Sequence, residues 1–317
     1  MTKLAANWPY LLISQIVKGK FFLRPEIALA MGPQVGRLLS ESGGSTGAVE
    51  EREIQILCID PQGKEIAMMR EDGQDPNETI SSLYDEAPEG SVALIPIKGT
   101  MLKYGTMCDY GATELAEFIS GAANHKNIGS IVLDIDSGGG AVDAVAPLIQ
   151  AIGRSRTKMR KPVVASVDMA CSAAYWVASA TDQIIADNNI SSEVGSIGVM
   201  MSFYDVRGYY EKEGVKFHTI YSNESPDKNL AFQKALDGDY DMIREEELDP
   251  LARSFQAAIR ENRKGKLLDK TPGILSGKTF FADQAKAVGL IDQIGDNTRA
   301  IEFALQLSHA RKSIFNL

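Results

Sequence analysis

Ser172 is the first residue of this sequence whose surroundings fit chemistry. It lies in Asp168-Met169-Ala170-Cys171-Ser172-Ala173-Ala174-Tyr175-Trp176, after an apolar run and among small side chains. A serine there can cap the helix that follows. It can also act as a nucleophile in a crowded turn, with the N–H of Ala173 as an oxyanion donor. Taken alone, the spacing favours the cap. A second segment, Asp136-Ser137-Gly138-Gly139-Gly140, holds three successive glycines, so backbone N–H groups can meet a ligand with no side chain in the way. Read as a turn ahead of a helix, those donors suit a phosphate or the oxyanion of a tetrahedral intermediate. A bare glycine-rich turn is nevertheless structural more often than catalytic.

Other reactive types are poorly placed. Cys171 has no histidine near it in sequence to generate a thiolate, and a free cysteine often serves as a small apolar side chain. The three cysteines, Cys58, Cys108 and Cys171, lack metal-ligand spacing and cannot all pair, which favours a reducing compartment. None of the three histidines, His125, His218 and His309, adjoins a carboxylate in a triad-like motif. All three read as structural or surface residues. No metal or cofactor is expected.

The 317 residues carry 42 acidic and 33 basic side chains, a net charge of −9. That balance disfavours nucleic-acid and anionic-membrane partners, which need basic patches. An apolar stretch at residues 8–17 is broken by Pro9, Ser14 and Gln15. It falls short of the ~20 apolar residues that span a bilayer. No small-x-small site follows it, so neither a signal peptide nor a transmembrane segment is expected, and the location reads as cytoplasmic.

The elements around these residues are read from periodicity and breakers. Residues 1–48 read as mainly helical, with Pro25 opening a helix over 26–39. Strands at 53–60 and 65–70 flank Pro61-Gln62-Gly63-Lys64 as a hairpin, and the acidic stretch 71–90 reads as a linker. Beyond it, strands at 92–97, 130–135, 162–167 and 183–186 alternate with helices at 113–122, 141–155 and 172–180. A further strand is expected at 215–221, and a helix at 298–308. The alternation predicts an α/β fold of βαβ units, whose ligand chemistry gathers at the carboxyl ends of strands. The domain reading is an N-terminal helical and hairpin region with its linker at 1–90, a core at 91–296 and a C-terminal helix at 297–317.

With these elements placed, the serine segment and 178–182 resemble the nucleophile region of the signal peptide peptidase A (protease IV) family, in its phage and prophage head-maturation form. Gly195-Ser196-Ile197-Gly198-Val199 resembles a second family motif. Gly277-Lys278-Thr279-Phe280-Phe281 and Ala285 to Gly295, with Gly289-Leu290-Ile291-Asp292, resemble its closing signature. Asp136–Gly140 falls where the family has its oxyanion segment. Two departures stand out: Ala173 and Ala174 replace paired glycines, and Gly138 replaces a proline.

The resemblance implies a ClpP/crotonase-like fold of repeated ββα units and a serine endopeptidase with a Ser-Lys dyad. It makes Ser172 the nucleophile and Lys228, in the loop after 215–221, the general base, with Lys234 as the alternative. The N–H groups of Ala173 and of Gly139 or Gly140 would form the oxyanion hole. It further implies a homo-oligomer, no cofactor, and protein substrates such as capsid, portal or scaffold proteins in a host cytoplasm or assembling phage head. The rival readings are a crotonase-type acyl-CoA enzyme and a non-catalytic head-assembly protein.

Overall fold

The structure, a computed structural model, describes residues 20–23, 56–68, 80–105, 110–203, 205 and 207–315. Its strands are β1 (Lys20–Leu23), β2 (Ile56–Ile59), β3 (Glu65–Met68), β4 (Ser91–Met101), β5 (Ile128–Ala141) and β6 (Val163–Cys171). They continue with β7 (Gln183–Ala186), β8 (Glu193–Gly195), β9 (Met200–Met201), β10 (Thr279–Phe281) and β11 (Gln293–Ile294). Helices are α1 (Ala112–Asn124), α2 (Val145–Thr157), α3 (Ala173–Ser179) and α4 (Arg207–Lys212). Then come α5 (Leu230–Leu236), α6 (Asp249–Asn262), α7 (Ala282–Ala287) and α8 (Asn297–Phe315).

β4, β5, β6 and β7 lie side by side and parallel. Their side chains alternate between two covered faces, as parallel sheets require. Ile131, Leu133 and Ile135 join the main core with Leu115, Phe118, Ile119, Leu148 and Ile152 of α1 and α2. Val132 between them joins Val92, Leu94, Val164 and Ile185 under Ala300 and Ala304 of α8. α1 supports this packing because its apolar residues recur at positions 112, 115, 116, 119, 122 and 123. The Glu114 carboxylate accepts the N–H of Gly111 at 2.8 Å at its start.

The long strands change partners halfway. The β4–β5 register shifts between Lys98 and Thr100, and the β5–β6 register shifts after Ile135. β6 pairs with β7 through Val164–Val167 and with β8 through Met169–Cys171. β6 therefore passes from β7 to β8 along its length, and the end of β5, still parallel to β4, gains β1 as a second neighbour. This is a ββα arrangement, and it carries the ends of β5 and β6 to one rim.

The hairpin of β2 and β3 forms as expected, with Gly63 at φ 85° and the Asp60 carboxylate accepting the N–H groups of Gln62 and Lys64. Several expectations need correction. Asp136–Gly140 is not a turn but the end of β5, because it finds strand partners on both sides. Residues 80–90 are not a loose linker: Tyr84 is fully buried and its hydroxyl donates to the Phe118 carbonyl at 2.9 Å. Residues 215–221 form no strand; they lie exposed, with no neighbouring strand among the described residues. Residues 20–23, expected within a helical region, form β1, since pairing with β5 and β9 overrides local preference. The helix over 26–39 lies outside the described residues, as does Cys108.

Candidate active site

Strand β6 ends at Cys171 and helix α3 begins at Ala173, leaving Ser172 alone at the junction. Its backbone sits at φ 56°, ψ −118°, a region that costs a non-glycine residue about 1–3 kcal/mol. The surroundings hold it there. The Ser172 N–H donates to the Gly195 carbonyl at 2.8 Å, and its own carbonyl accepts the Trp176 N–H at 3.0 Å. Helix α3 is fastened on three sides. The Tyr175 hydroxyl donates to the Leu290 carbonyl at 2.8 Å. The Trp176 ring stacks on Phe255 of α6, with centroids 4.7 Å apart and planes at 6°. Asn262 donates to the Ser179 hydroxyl at 2.9 Å. Strained residues held by well-supported surroundings cluster at active sites, ligand clamps and switch regions. Indeed, Ser172 makes no side-chain cap bond.

The Ser172 hydroxyl lies 3.5 Å from the Gly198 carbonyl, a long contact that leaves it available for other bonds. Around it, Gly195 at φ 117° and Ser196 at φ 53° wrap the second motif against β10, with the Ser196 N–H donating to the Lys278 carbonyl at 2.9 Å. The closing signature also has a local reason. Asp292 forms a bidentate pair with buried Arg263, accepts from Lys266 at 2.6 Å, and accepts the Ile184 N–H at 2.8 Å. Burial opposes ionisation of Asp292. The hydrogen bonds and charge of Arg263, with those of Lys266 and Ile184, nonetheless hold its carboxyl below the ordinary value. Sequence reading alone gave Arg263, Phe255 and the Gly195 and Gly198 carbonyls no role, since nothing local in the sequence signals their contacts.

The candidate oxyanion donors come to the same rim. The β5–β6 pairing ends at Ser137 and Ala170, two residues before Gly139 and Ser172 respectively. Gly139 has φ 103°, and its N–H makes a 3.2 Å bond to the Ser137 hydroxyl, which itself donates to the Gly99 carbonyl. A Cβ on Gly140 would lie 1.9 Å from the Met101 carbonyl oxygen, so only glycine allows β4 to approach there. Ala173 opens α3, and its N–H has no acceptor within the helix.

Lys228 is not brought to Ser172 within the chain. It is exposed on the turn before α5, where its backbone N–H donates to the Ser225 carbonyl at 3.3 Å. Its ammonium group makes no hydrogen bond or ion pair among the described residues. Glu224, Asp227 and Lys234 are exposed as well.

The histidines are elsewhere. His125 is buried and pairs with Asp85 at 2.8 Å. It precedes β5, whereas Ser172 follows β6; because the strands are parallel, the two sit at opposite ends of the sheet. At ~3.3 Å per residue, nine-residue β6 separates them by roughly 25 Å. His218 and His309 are exposed. Cys171 is fully buried, and burial pushes the equally enclosed Cys58 thiol up to about 12.

Residues 155–311 match the model of peptidase family S49. Protease 4 of Haemophilus influenzae is 26% identical over 225 residues, covering 70% of this chain and 35% of that protein. Capsid assembly protease C of Escherichia phage lambda is 28% identical over 241 residues, covering 70% of this chain and 50% of that protein. The chain thus spans between about a third and a half of the length of these relatives. A solved 1510-N membrane-bound stomatin-specific protease superposes with a TM-score of 0.45 at 15% identity, covering 69% of this chain and 85% of that one. The matched region carries Ser172, Gly195–Val199 and the closing signature, and over it the chain is similar to peptidase family S49.

Proposed function

We propose that this chain is a serine endopeptidase with Ser172 as nucleophile and Lys228 as general base. The hydroxyl of Ser172 attacks the scissile carbonyl while Lys228 accepts its proton. The developing oxyanion takes hydrogen bonds from the N–H of Ala173 and that of Gly139 or Gly140. Collapse of the intermediate expels the amine, which receives the proton from Lys228, and water then hydrolyses the ester by the same route. The observation that carries this reading is the strained, well-fastened backbone of Ser172, just past the end of β6, where β6 pairs with the glycine-bearing strand β5.

The base sets a further requirement. Lysine has an ordinary pKa of about 10.4 and must be desolvated to be neutral near pH 7. In the single chain Lys228 is exposed. The segment leading to it exposes Val215, Phe217 and Tyr221, with Ile220 92% exposed. A clustered apolar strip of that kind belongs against a partner. A homo-oligomer in which a second copy covers the segment would supply both the desolvation and the approach to Ser172.

Similarity to the phage capsid assembly protease supports head proteins as substrates, in a host cytoplasm or assembling head. No helix among the described residues is long and apolar enough to cross a membrane. The test is mass spectrometry of candidate head proteins incubated with the parent chain and with Ser172→Ala. Specific fragments from the parent alone support the reading. Equal cleavage by both refutes it.

A further inference from the structure

Strand β1 is a separate piece of chain laid across the rim that holds Ser172. On one edge it pairs antiparallel with the glycine-rich end of β5, with Leu23 opposite Gly139, Phe22 opposite Gly140 and Phe21 opposite Ala141. On the other it pairs antiparallel with β9, with Lys20 opposite Met201 and Phe21 opposite Met200. The opposite edge of Gly139 and Gly140 already belongs to Thr100 and Met101 of β4. β9 has no strand partner other than β1 among the described residues. Removing β1 would leave two facing backbone edges with unmet hydrogen bonds.

Those edges border the candidate site. Gly139 and Ser172 each lie two residues beyond the paired Ser137 and Ala170, and β9 starts two residues beyond Gly198, whose carbonyl is 3.5 Å from the Ser172 hydroxyl. An extended peptide entering between two strand edges is held by main-chain hydrogen bonds whatever its sequence. Ser172 is only 1% exposed, although a nucleophile must meet its substrate. A four-residue strand held by two short ladders opens at low cost in free energy. It is therefore suited to exchange with another peptide.

Resting on the serine-peptidase reading, we propose that the channel between Gly139, Gly140 and Ala141 and Met200–Met201 accepts an extended peptide, and that the chain's own Lys20–Leu23 fills it until a substrate displaces it. The occupant blocks by backbone pairing, so the test acts on the backbone. Proline lacks the N–H that a strand between two neighbours must donate. The double variant Phe21→Pro, Phe22→Pro of the full chain should react with a fluorophosphonate at Ser172 several-fold faster than the parent. A synthetic peptide with the sequence of residues 18–25, in excess, should return the variant to the parent rate. Equal labelling rates in the two chains, with no effect of the peptide, overturn the proposal.

Hydrogen exchange of the parent chain provides a second measurement that needs no variant. The amides of Phe21, Phe22 and Leu23 should be protected, and excess peptide should release them. Exchange unchanged at saturating peptide also overturns the proposal. If the peptide releases these amides while Ser172 is labelled in neither chain, strand occupancy stands and the serine-peptidase reading fails.

Discussion

The N–H of Ser172 donates to the carbonyl of Gly195 at 2.8 Å, which joins the nucleophile segment to the Gly-Ser-Ile-Gly motif. The bond has two consequences. It helps to hold Ser172 at a positive φ, and it commits the Ser172 amide, so the next N–H, that of Ala173, is the one proposed as oxyanion donor. It also explains the glycine at 195, which has φ 117° and whose added Cβ would lie 2.7 Å from the Lys278 carbonyl oxygen.

Removing the Ser172 hydroxyl should abolish peptide cleavage without unfolding the chain. Ser172→Ala keeps the backbone strain, whereas Ser172→Gly relieves it. Both variants should be inactive, with the glycine variant more stable than the alanine variant by about 1 kcal/mol. Chemical denaturation of the two gives the comparison. An alanine variant as stable as the glycine one would mean that the φ of Ser172 stores no strain.

Lys228→Ala should lower the turnover rate by roughly 10²–10⁴-fold, the usual contribution of general-base assistance. Lys228→Arg should be equally impaired, because a guanidinium stays protonated. His125→Gln, His218→Gln and His309→Gln should each retain activity within a few-fold, His125 being at the far end of the sheet. Rates on one peptide substrate decide the matter. A dead Lys234→Ala beside a normal Lys228→Ala would move the base from the turn into α5.

Ile220→Lys places a charge in the exposed apolar strip before Lys228. Burying an isoleucine contributes about 1.5–3 kcal/mol, so self-association should weaken by roughly 10–100-fold. Sedimentation or light scattering across concentration should show the dissociation, and activity should fall with it. A variant that assembles like the parent would show that the strip is not an interface between copies.

Asp292 should govern part of the acid stability. Its carboxyl is held below the ordinary value in the folded chain, so the unfolded chain takes up this proton at higher pH. Its contribution is complete above about pH 4, the ordinary carboxylate range, and declines as pH falls through the folded value. Asp292→Asn, which leaves Arg263 buried without its partner, should cost about 3–5 kcal/mol near neutral pH. The variant should also show a shallower loss of stability on acidification. Denaturant titrations from pH 7 to pH 3 test both expectations; parallel curves for parent and variant would remove Asp292 from the acid response.

Much of this protein was legible in the sequence because it depends on local pattern. Alternating apolar runs and helices predict the α/β class, and Gln183–Ala186 is a strand with the expected bounds. Ser172 stood out through its small neighbours, and Pro61 to Lys64 through turn chemistry. Sequence pattern did not show that β5 runs on through Asp136–Gly140. Glycines resemble a turn until β4 and β1 are seen to pair along them. Nor did it show that 215–221 stays exposed, since alternating apolar residues read as a strand whether or not a partner strand exists. The sequence by itself singled out Ser172 and Asp136–Gly140 through residue type and short-range spacing, and Lys228 through the family resemblance. Only the tertiary structure decided that Ser172 is strained, that β5 runs on as a strand through Gly140 and that Lys20–Leu23 pairs along it. Those relationships join segments far apart in the chain, through backbone hydrogen bonds that any residue type can make.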